Sequence, residues 1–305
     1  MSKIAVIIPA YKSQYLKICL DSFCKQTNPN FHLYIFNDNS PHEIDDKVSP
    51  YLSETNITYH KFEENLGGIS LVQHWERCIA LTAEPWIWMF SDDDISSLDC
   101  IEALQNAIHQ HPGQPIFRFR KTIIDSKGKT TNKEEFPEFE NSTEFFKSVT
   151  LKKYSLSAPE YVFSREVYLK NKGYVTFDLA WGSDIATWLV FAREQGIRTI
   201  EANIYYRMSE TNISSINNFT IFKRKLFARF ELLEWFEKQK DLYFEYKGKP
   251  SSYYVKDNVL YFIYTQISII PTSEFPKLAS EIKKNLRMKY LKALYFLIKS
   301  KLTQR

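Results

Sequence analysis

The stretch "WIWMFSDDDISS", residues 86–97, sets five consecutive apolar residues, Trp86 to Phe90, against three aspartates. So short an apolar run reads as a β-strand buried on both faces, the pattern of a central strand in a parallel sheet. Asp92, Asp93 and Asp94 then fall where that strand leaves the sheet. Adjacent like charges repel, so something must offset them. Taken alone, the triplet also suits a solvated turn, or caps for a helix beginning near Leu98.

Outward from this strand the same rhythm repeats. "KIAVII" (3–8), stopped by Pro9, predicts a buried strand, and "YLKICLDSFCKQ" has apolar residues at 16, 19, 20 and 23, which is helical spacing. "FHLYIFNDNS" predicts a second strand ending in turn residues, and "NITYHKF" a third with the alternation of a sheet edge. "ISLVQHWERCIAL" predicts the second helix and "LDCIEALQNAIHQH" the third. Strands alternating with helices indicate a parallel, doubly wound sheet covered on both faces.

Beyond residue 115 the pattern loosens. "PIFRFRKTIID" predicts a strand pair or a bent strand, residues 125–142 a polar loop, and "PEYVFSREVY" a strand then a helix. "SDIATWLVFAREQG" predicts a helix closed by Gly196, and "IRTIEANIYYR" two short strands. After Asn218 the chain reads as helical in three segments, 219–246, 251–269 and 274–302, punctuated by prolines. The expected organisation is a sheet domain over 1–217 and a helical C-terminal extension over 218–305.

A chain of 305 residues, 44% hydrophobic and 25% charged, has ample material for a core. The net charge of +4 is too small to argue for nucleic acid. It is unevenly spread: Lys283 to Arg305 holds eight Lys/Arg and no Asp/Glu. That basic, aromatic-rich end suits an anionic lipid surface; packing on the core or on a second subunit, as in a homodimer, is the competing expectation. The four cysteines form no C-x-x-C pair and read as reduced thiols. "MSKIAVIIPAYKS" has too short an apolar core for a signal peptide, and no run reaches the length of a spanning helix. The expectation is a cytoplasmic protein, at most peripheral on the inner face of the cytoplasmic membrane.

Ligands of open α/β sheets bind at the carboxyl ends of the strands. There the sequence collects Pro9-Ala10-Tyr11, Asn37-Asp38-Asn39-Ser40, Asn65-Leu66-Gly67-Gly68 and the three aspartates. Each has a bland reading as a turn, but their convergence on one rim says more than any of them singly. Paired carboxylates at a strand end suit a hard divalent cation, Mn²⁺ or Mg²⁺, which bridges to diphosphate oxygens. Neither G-x-x-x-x-G-K-[ST] nor G-x-G-x-x-G follows the first strand, so no glycine cradle for phosphate is expected.

"VIIPAYK", "FNDNS", "ENLGG" and "FSDDD", followed by "WGSDIATWL" and "YYRMSETNISS", together resemble the GT-A glycosyltransferases of family 2, inverting enzymes that use nucleotide-diphospho-sugars. The resemblance implies an α/β GT-A fold, a mixed, mostly parallel sheet flanked by helices. It implies that Pro9, Ala10 and Tyr11 line the nucleotide and that Asp38 meets a uracil-type base. Asn65, Gly67, Asp92 and Asp93 join the nucleotide-sugar site. Asp94 is the implied direct metal ligand, Asp92 stands beside it facing the ribose, and Asp184 is the implied base for the acceptor hydroxyl; apart from the resemblance, Glu160 or Asp178 is next in line if Asp184 is not the base. The implied partners are a nucleotide-sugar donor, probed first as a UDP-sugar, and a glycan or lipid-linked acceptor in surface polysaccharide synthesis.

The chain departs from the family pattern at Ser91, where an Asp is common, at Ser183, often Glu, at Asn37 and Asn39, and around His74-Trp75, where an Arg-Asn pair is frequent. These changes bear mainly on donor preference. Two other readings compete: a catalytically inactive nucleotide-sugar-binding or scaffold subunit, and a sugar-phosphate nucleotidyltransferase. The second calls for a Gly-rich, Arg-bearing loop where Pro9-Ala10-Tyr11-Lys12 stands.

Overall fold

The structure, a computed structural model, describes residues 3–209, 215–216 and 218–304. It divides into two compact units, Met1–Thr176 with Ser183–Ser209, and Phe177–Gly182 with Glu210–Arg305.

The first unit opens as the sequence predicts: β1 (Ile4–Ala10), α1 (Leu16–Cys24), β2 (Phe31–Asn37), the short α2 (Ile44–Val48), β3 (Ile57–Lys61), α3 (Leu71–Ala80) and β4 (Trp86–Met89). These four strands lie parallel in the order β3-β2-β1-β4, with β3 at the edge. Both faces are covered. Ile4, Val6, Ile8, Leu33, Ile35, Trp86 and Trp88 join one cluster with Leu16, Leu20 and Phe23 of α1. Ala5, Ile7, Ile87 and Met89 are equally buried but lie outside that cluster, because alternate residues of a strand face opposite ways. Trp88 is also pinned by its indole N–H, which donates to the carbonyl of Pro159 at 2.7 Å.

The parallel run stops at β4. After β5 (Ile95–Ser96) and α4 (Cys100–Gln110) come β6 (Ile116–Ile124), β7 (Thr130–Glu134), β8 (Phe139–Glu140), α5 (Ser142–Thr150), β9 (Tyr161–Ser164), α6 (Arg165–Lys170), α7 (Ser183–Phe191) and β10 (Ile197–Arg207). β9 runs antiparallel to both β4 and β6, while β6 and β10 are parallel. The start of β9 and the ends of β6 and β10 are therefore brought to the same edge as the end of β4.

Of the strand pair or bent strand expected in "PIFRFRKTIID", the structure has one nine-residue strand. Two expectations change here. The stretch 125–142 is not all loop: it pairs β7 on β6 and β8 on β10. The two strands expected in "IRTIEANIYYR" are one eleven-residue strand with a bulge. Ile200 pairs with Phe119 and Asn203 with Arg120, so Glu201 and Ala202 are extra. The bulge breaks the alternation and mimics a strand boundary in the sequence. The helix α7 ends at Phe191, and Gly196 closes the following turns at φ +66, its amide donating to Ala192 at 2.8 Å.

The second unit contains α8 (Phe219–Lys238), a two-stranded hairpin of β11 (Glu245–Tyr246) and β12 (Lys249–Pro250), α9 (Ser251–Thr265), α10 (Phe275–Leu286) and α11 (Tyr290–Thr303). The segment expected over 274–302 is thus two helices. The break comes at Arg287, which takes a left-handed conformation (φ 55) and ends α10. Expected helix over 239–246 is replaced by a turn and the first strand of the hairpin.

Candidate functional site

The aspartate triplet is held from three directions. Asp92 Oδ2 accepts the amides of Tyr11 (2.8 Å) and Lys12 (2.6 Å), which ties the end of β4 to the end of β1. The Lys12 ammonium pairs with Asp93 and lies 3.6 Å from Asp92 Oδ1. Asp94 Oδ1 accepts the amide of Arg207, the last residue of β10, at 2.7 Å. The Arg207 guanidinium donates to the carbonyls of Asp93 (2.9 Å) and Asp125 (3.0 Å) and lies over the Tyr15 ring. The repulsion within the triplet is thus offset by backbone dipoles and one lysine.

Burial acts strongly on these carboxyls. Desolvation, opposed by Lys12 and by the two amides, raises Asp92 to about 6. Burial, with Asp93 beside it, pushes Asp94 well above the usual carboxylate range. Lys12 moves the other way: burial disfavours its ammonium, but Asp92 and Asp93 outweigh burial and raise its pKa. Asp94 Oδ2 is buried and has no hydrogen-bond partner among the described residues. An orphaned carboxylate oxygen in such a place is the residue chemistry a divalent cation fits. No group of three or more ligating side chains occurs among the described residues. A cation here would therefore be held by Asp94, with Asp92 next to it, and complete its shell with water and diphosphate oxygens, the usual habit of Mg²⁺.

Asp38 is buried too, but its capacity is used inside the protein. Oδ1 accepts the amide of Leu66 (3.0 Å), Oδ2 that of Gly67 (2.8 Å), and Arg77 pairs with Oδ1. The turn after β2 thus clasps the loop before α3. Gly67 is required by proximity: a Cβ there would sit 2.6 Å from Asp38 Oδ2, and one on Gly68 2.5 Å from Asn65 Oδ1, which accepts the Gly68 amide. His74 Nδ1 is 3.2 Å from Asp38 but accepts from Arg77 Nε at 3.0 Å, so it carries no proton and the contact is not an ion pair. Burial, helped by Arg77, lowers His74 to about 4 despite Asp38. His74 is a packed helix histidine, as its place in the sequence suggests. Tyr11 offers its half-exposed ring on the same rim, edge-on to His42, with its carbonyl bound by Ser40 Oγ at 2.6 Å. Ala10 accepts the Asp38 amide through its carbonyl at 3.2 Å.

Asp184 is the second residue of α7, half-buried, and accepts the amide of its neighbour Ile185 at 2.8 Å. Burial raises its carboxyl to about 6, with Glu160 adding to the rise and Lys121 opposing it. Its reserves are committed elsewhere. Glu160 is fully buried, paired with Lys121 at 3.0 Å and bonded to the Ser157 amide at 2.7 Å. Asp178, in the second unit, forms a two-pronged pair with Arg224 (2.9 and 2.6 Å) that lowers its pKa.

Sequence reasoning missed Lys12 and Arg77 as partners of the rim. Lys12 had a signal, as the lone base following the first strand. Arg77 lies three residues beyond His74, hence on the same helix face. Part of "YYRMSETNISS", residues 210–214, lies outside the described residues.

Comparison with known proteins agrees with this geometry. The model of glycosyl transferase family 2 matches residues 5–169, more than half of the chain, and the protein belongs to that family. Solved structures share the fold. S. aureus TarS 1–349 superposes with a TM-score of 0.58 at 16% identity, covering 99% of this chain and 91% of that one. TarS 1–349 in complex with UDP-GlcNAc gives 0.62 at 14% identity with the same coverage. Against the longer S. aureus TarS structure the TM-score is 0.57 at 14% identity, and the match covers 99% of this chain but 55% of that one.

Proposed function

We propose that this family 2 glycosyltransferase moves a sugar, with inversion, from a UDP-type nucleotide sugar to a hydroxyl of a glycan or lipid-linked acceptor in surface polysaccharide synthesis. The observation that carries the reading is the buried Asp94, locked by Arg207 through one oxygen and left with the other unmatched. The uracil-type donor is supported by the fold shared with a TarS structure that holds UDP-GlcNAc.

On this reading Asp92 and Asp94 hold Mn²⁺ or Mg²⁺, which when bound neutralises the charge of the departing diphosphate. Tyr11 supports the base by stacking, while Asp38 keeps the Asn65–Gly68 loop in place beneath it. Asp184 takes the proton of the acceptor hydroxyl as the oxygen attacks the anomeric carbon. The new C–O bond forms as the bond to the diphosphate breaks, and UDP leaves with that electron pair. A carboxyl raised to about 6 is ionised at neutral pH yet more basic than an ordinary aspartate, which suits a general base. The presence of both Asp94 and Asp184 argues against a binding or scaffold subunit.

Calorimetry with UDP, with and without Mn²⁺, tests the metal half of the reading. Asp94→Ala should abolish the metal-dependent part of binding, and Asp92→Ala should weaken it less. Equal wild-type affinity in both buffers refutes it. A screen of nucleotide sugars for hydrolysis tests the catalytic half; binding without turnover of any donor favours the scaffold.

A further inference from the structure

Far along the chain from the strand-end site, the second unit presents an apolar face that none of its described elements covers. Ala293, Leu297 and Ser300 of α11 are buried. On the opposite side Leu291, Tyr295, Ile298 and Leu302 recur at i, i+4, i+7 and i+11, one stripe along a helix, and are 77%, 63%, 45% and 64% exposed. Beside the stripe lies a groove of about 340 Å³ between the start of α10 and the end of α11, lined by Thr272, Phe275, Pro276, Leu294, Ile298 and Leu302.

The charges around it are one-sided. Lys283, Lys284, Lys289, Lys292 and Lys299 are exposed. Lys299 lies over the Tyr295 ring at 6.0 Å. Lys301 is used internally, donating to the carbonyls of Ile267, Ser268 and Ile270, and Arg287 pairs with Glu237 at 3.1 Å. Among acidic groups near the face, Glu281 is on α10 and Glu274 lies 4.0 Å from Lys277; beyond Glu281 the chain has none.

We propose that this face docks on an anionic lipid surface, α11 lying in the plane of the headgroups with Leu291, Tyr295, Ile298 and Leu302 inserted. The charge selects the occupant. A second copy of the same basic face would set lysines against lysines, whereas anionic headgroups complement them. The geometry selects lying over crossing: α11 has 14 residues, and no helix among the described residues is long and apolar enough to span. The proposal does not depend on the glycosyltransferase reading.

Flotation of the full chain with vesicles decides it. The protein should float with equimolar phosphatidylcholine and phosphatidylglycerol, not with phosphatidylcholine alone, and should be released by high salt. Leu291→Ser with Tyr295→Ser changes only exposed positions and should abolish flotation. Lys292→Gln with Lys299→Gln should lower partitioning roughly fivefold per lysine removed. Failure of the wild type to float on the mixed vesicles overturns the proposal, as does flotation undiminished in the Leu291/Tyr295 variant. A wild-type dimer in sedimentation that the Leu291/Tyr295 variant dissociates, without flotation, assigns the face to a second copy instead.

Discussion

Asp38 directly follows β2 and Asp94 lies in the turn between β4 and β5; both are buried, and they differ in how much of their bonding capacity the fold consumes. Asp38 is saturated by two amides and an arginine. Asp94 has one oxygen fixed and one unmatched. The spent carboxylate behaves as a rivet between two loops. The unspent one is a position where the fold has compensated desolvation only in part, through the Arg207 amide, Lys12 and Ser91, the condition that marks a binding group. Asp184 belongs with Asp94: its hydrogen bond comes from its own first turn, and burial has raised it.

The strongest test of that grouping is Asp184→Asn. Transfer should fall by roughly 10²–10⁴-fold with UDP binding intact, the range for loss of a general base. In the wild type, kcat should rise with pH through about 6 and level off, because the base must be ionised. Stability runs the other way. The folded pKa lies above the unfolded 3.8, so the folded state binds more protons between the two values and loses stability as pH climbs through that window. The Tm advantage of Asp184→Asn over the wild type should therefore grow from about pH 4 to about pH 6. A stable variant with near-normal kcat removes Asp184 from the unspent class.

For the spent member, Asp38→Ala should cost about 3 kcal/mol by denaturant unfolding, since Arg77 and two amides lose their acceptor together. A variant as stable as the wild type would erase the distinction between the two aspartates. Gly67→Ala presses a methyl group on the same carboxylate and should cost about 1–3 kcal/mol by the same assay. The smallest effect concerns Lys12, the charge that stands in the unspent site. Lys12→Met should tighten Mn²⁺ binding at least about fivefold in calorimetry without nucleotide, since a neighbouring positive charge repels each unit of the cation's charge by about 1 kcal/mol at ~4 Å even in bulk water, and more in a buried site. Unchanged or weaker Mn²⁺ binding would show that the lysine does not oppose the cation.

Much of this was legible in the sequence because strand ends announce themselves. The apolar runs at 3–8, 31–36 and 86–90, each halted by polar or turn residues, place the rim without further help, and the acidic triplet marks its chemistry. What stayed hidden lay in tertiary pairing. Asp92 and the Lys12 amide are 80 residues apart, and Asp94 and Arg207 are 113 apart, distances that carry no local signal. That Asp38 is saturated while Asp94 is not could not be read from two aspartates that both follow a strand. The hairpin pairing of β7, the hairpin after α8 and the left-handed Arg287 were missed because polar strands and single backbone reversals leave no periodicity.

The bulge in β10 acts as a vernier. Regular pairing onward from Ile200 and Phe119 would bring Tyr205 opposite Ile124; the two surplus residues advance the strand so that Arg207 arrives there instead. A phenol in that place has neither the forked donors nor the charge that now grip the Asp93 and Asp125 carbonyls. The surplus residues are themselves anchored, Glu201 paired with Arg120 at 2.6 Å and Ala202 buried in the core cluster. Excising both joins Ile200 to Asn203 in unbroken register and leaves Arg207 where it is, whereas excising two residues beyond Asn203 delivers Ser209 to the triplet.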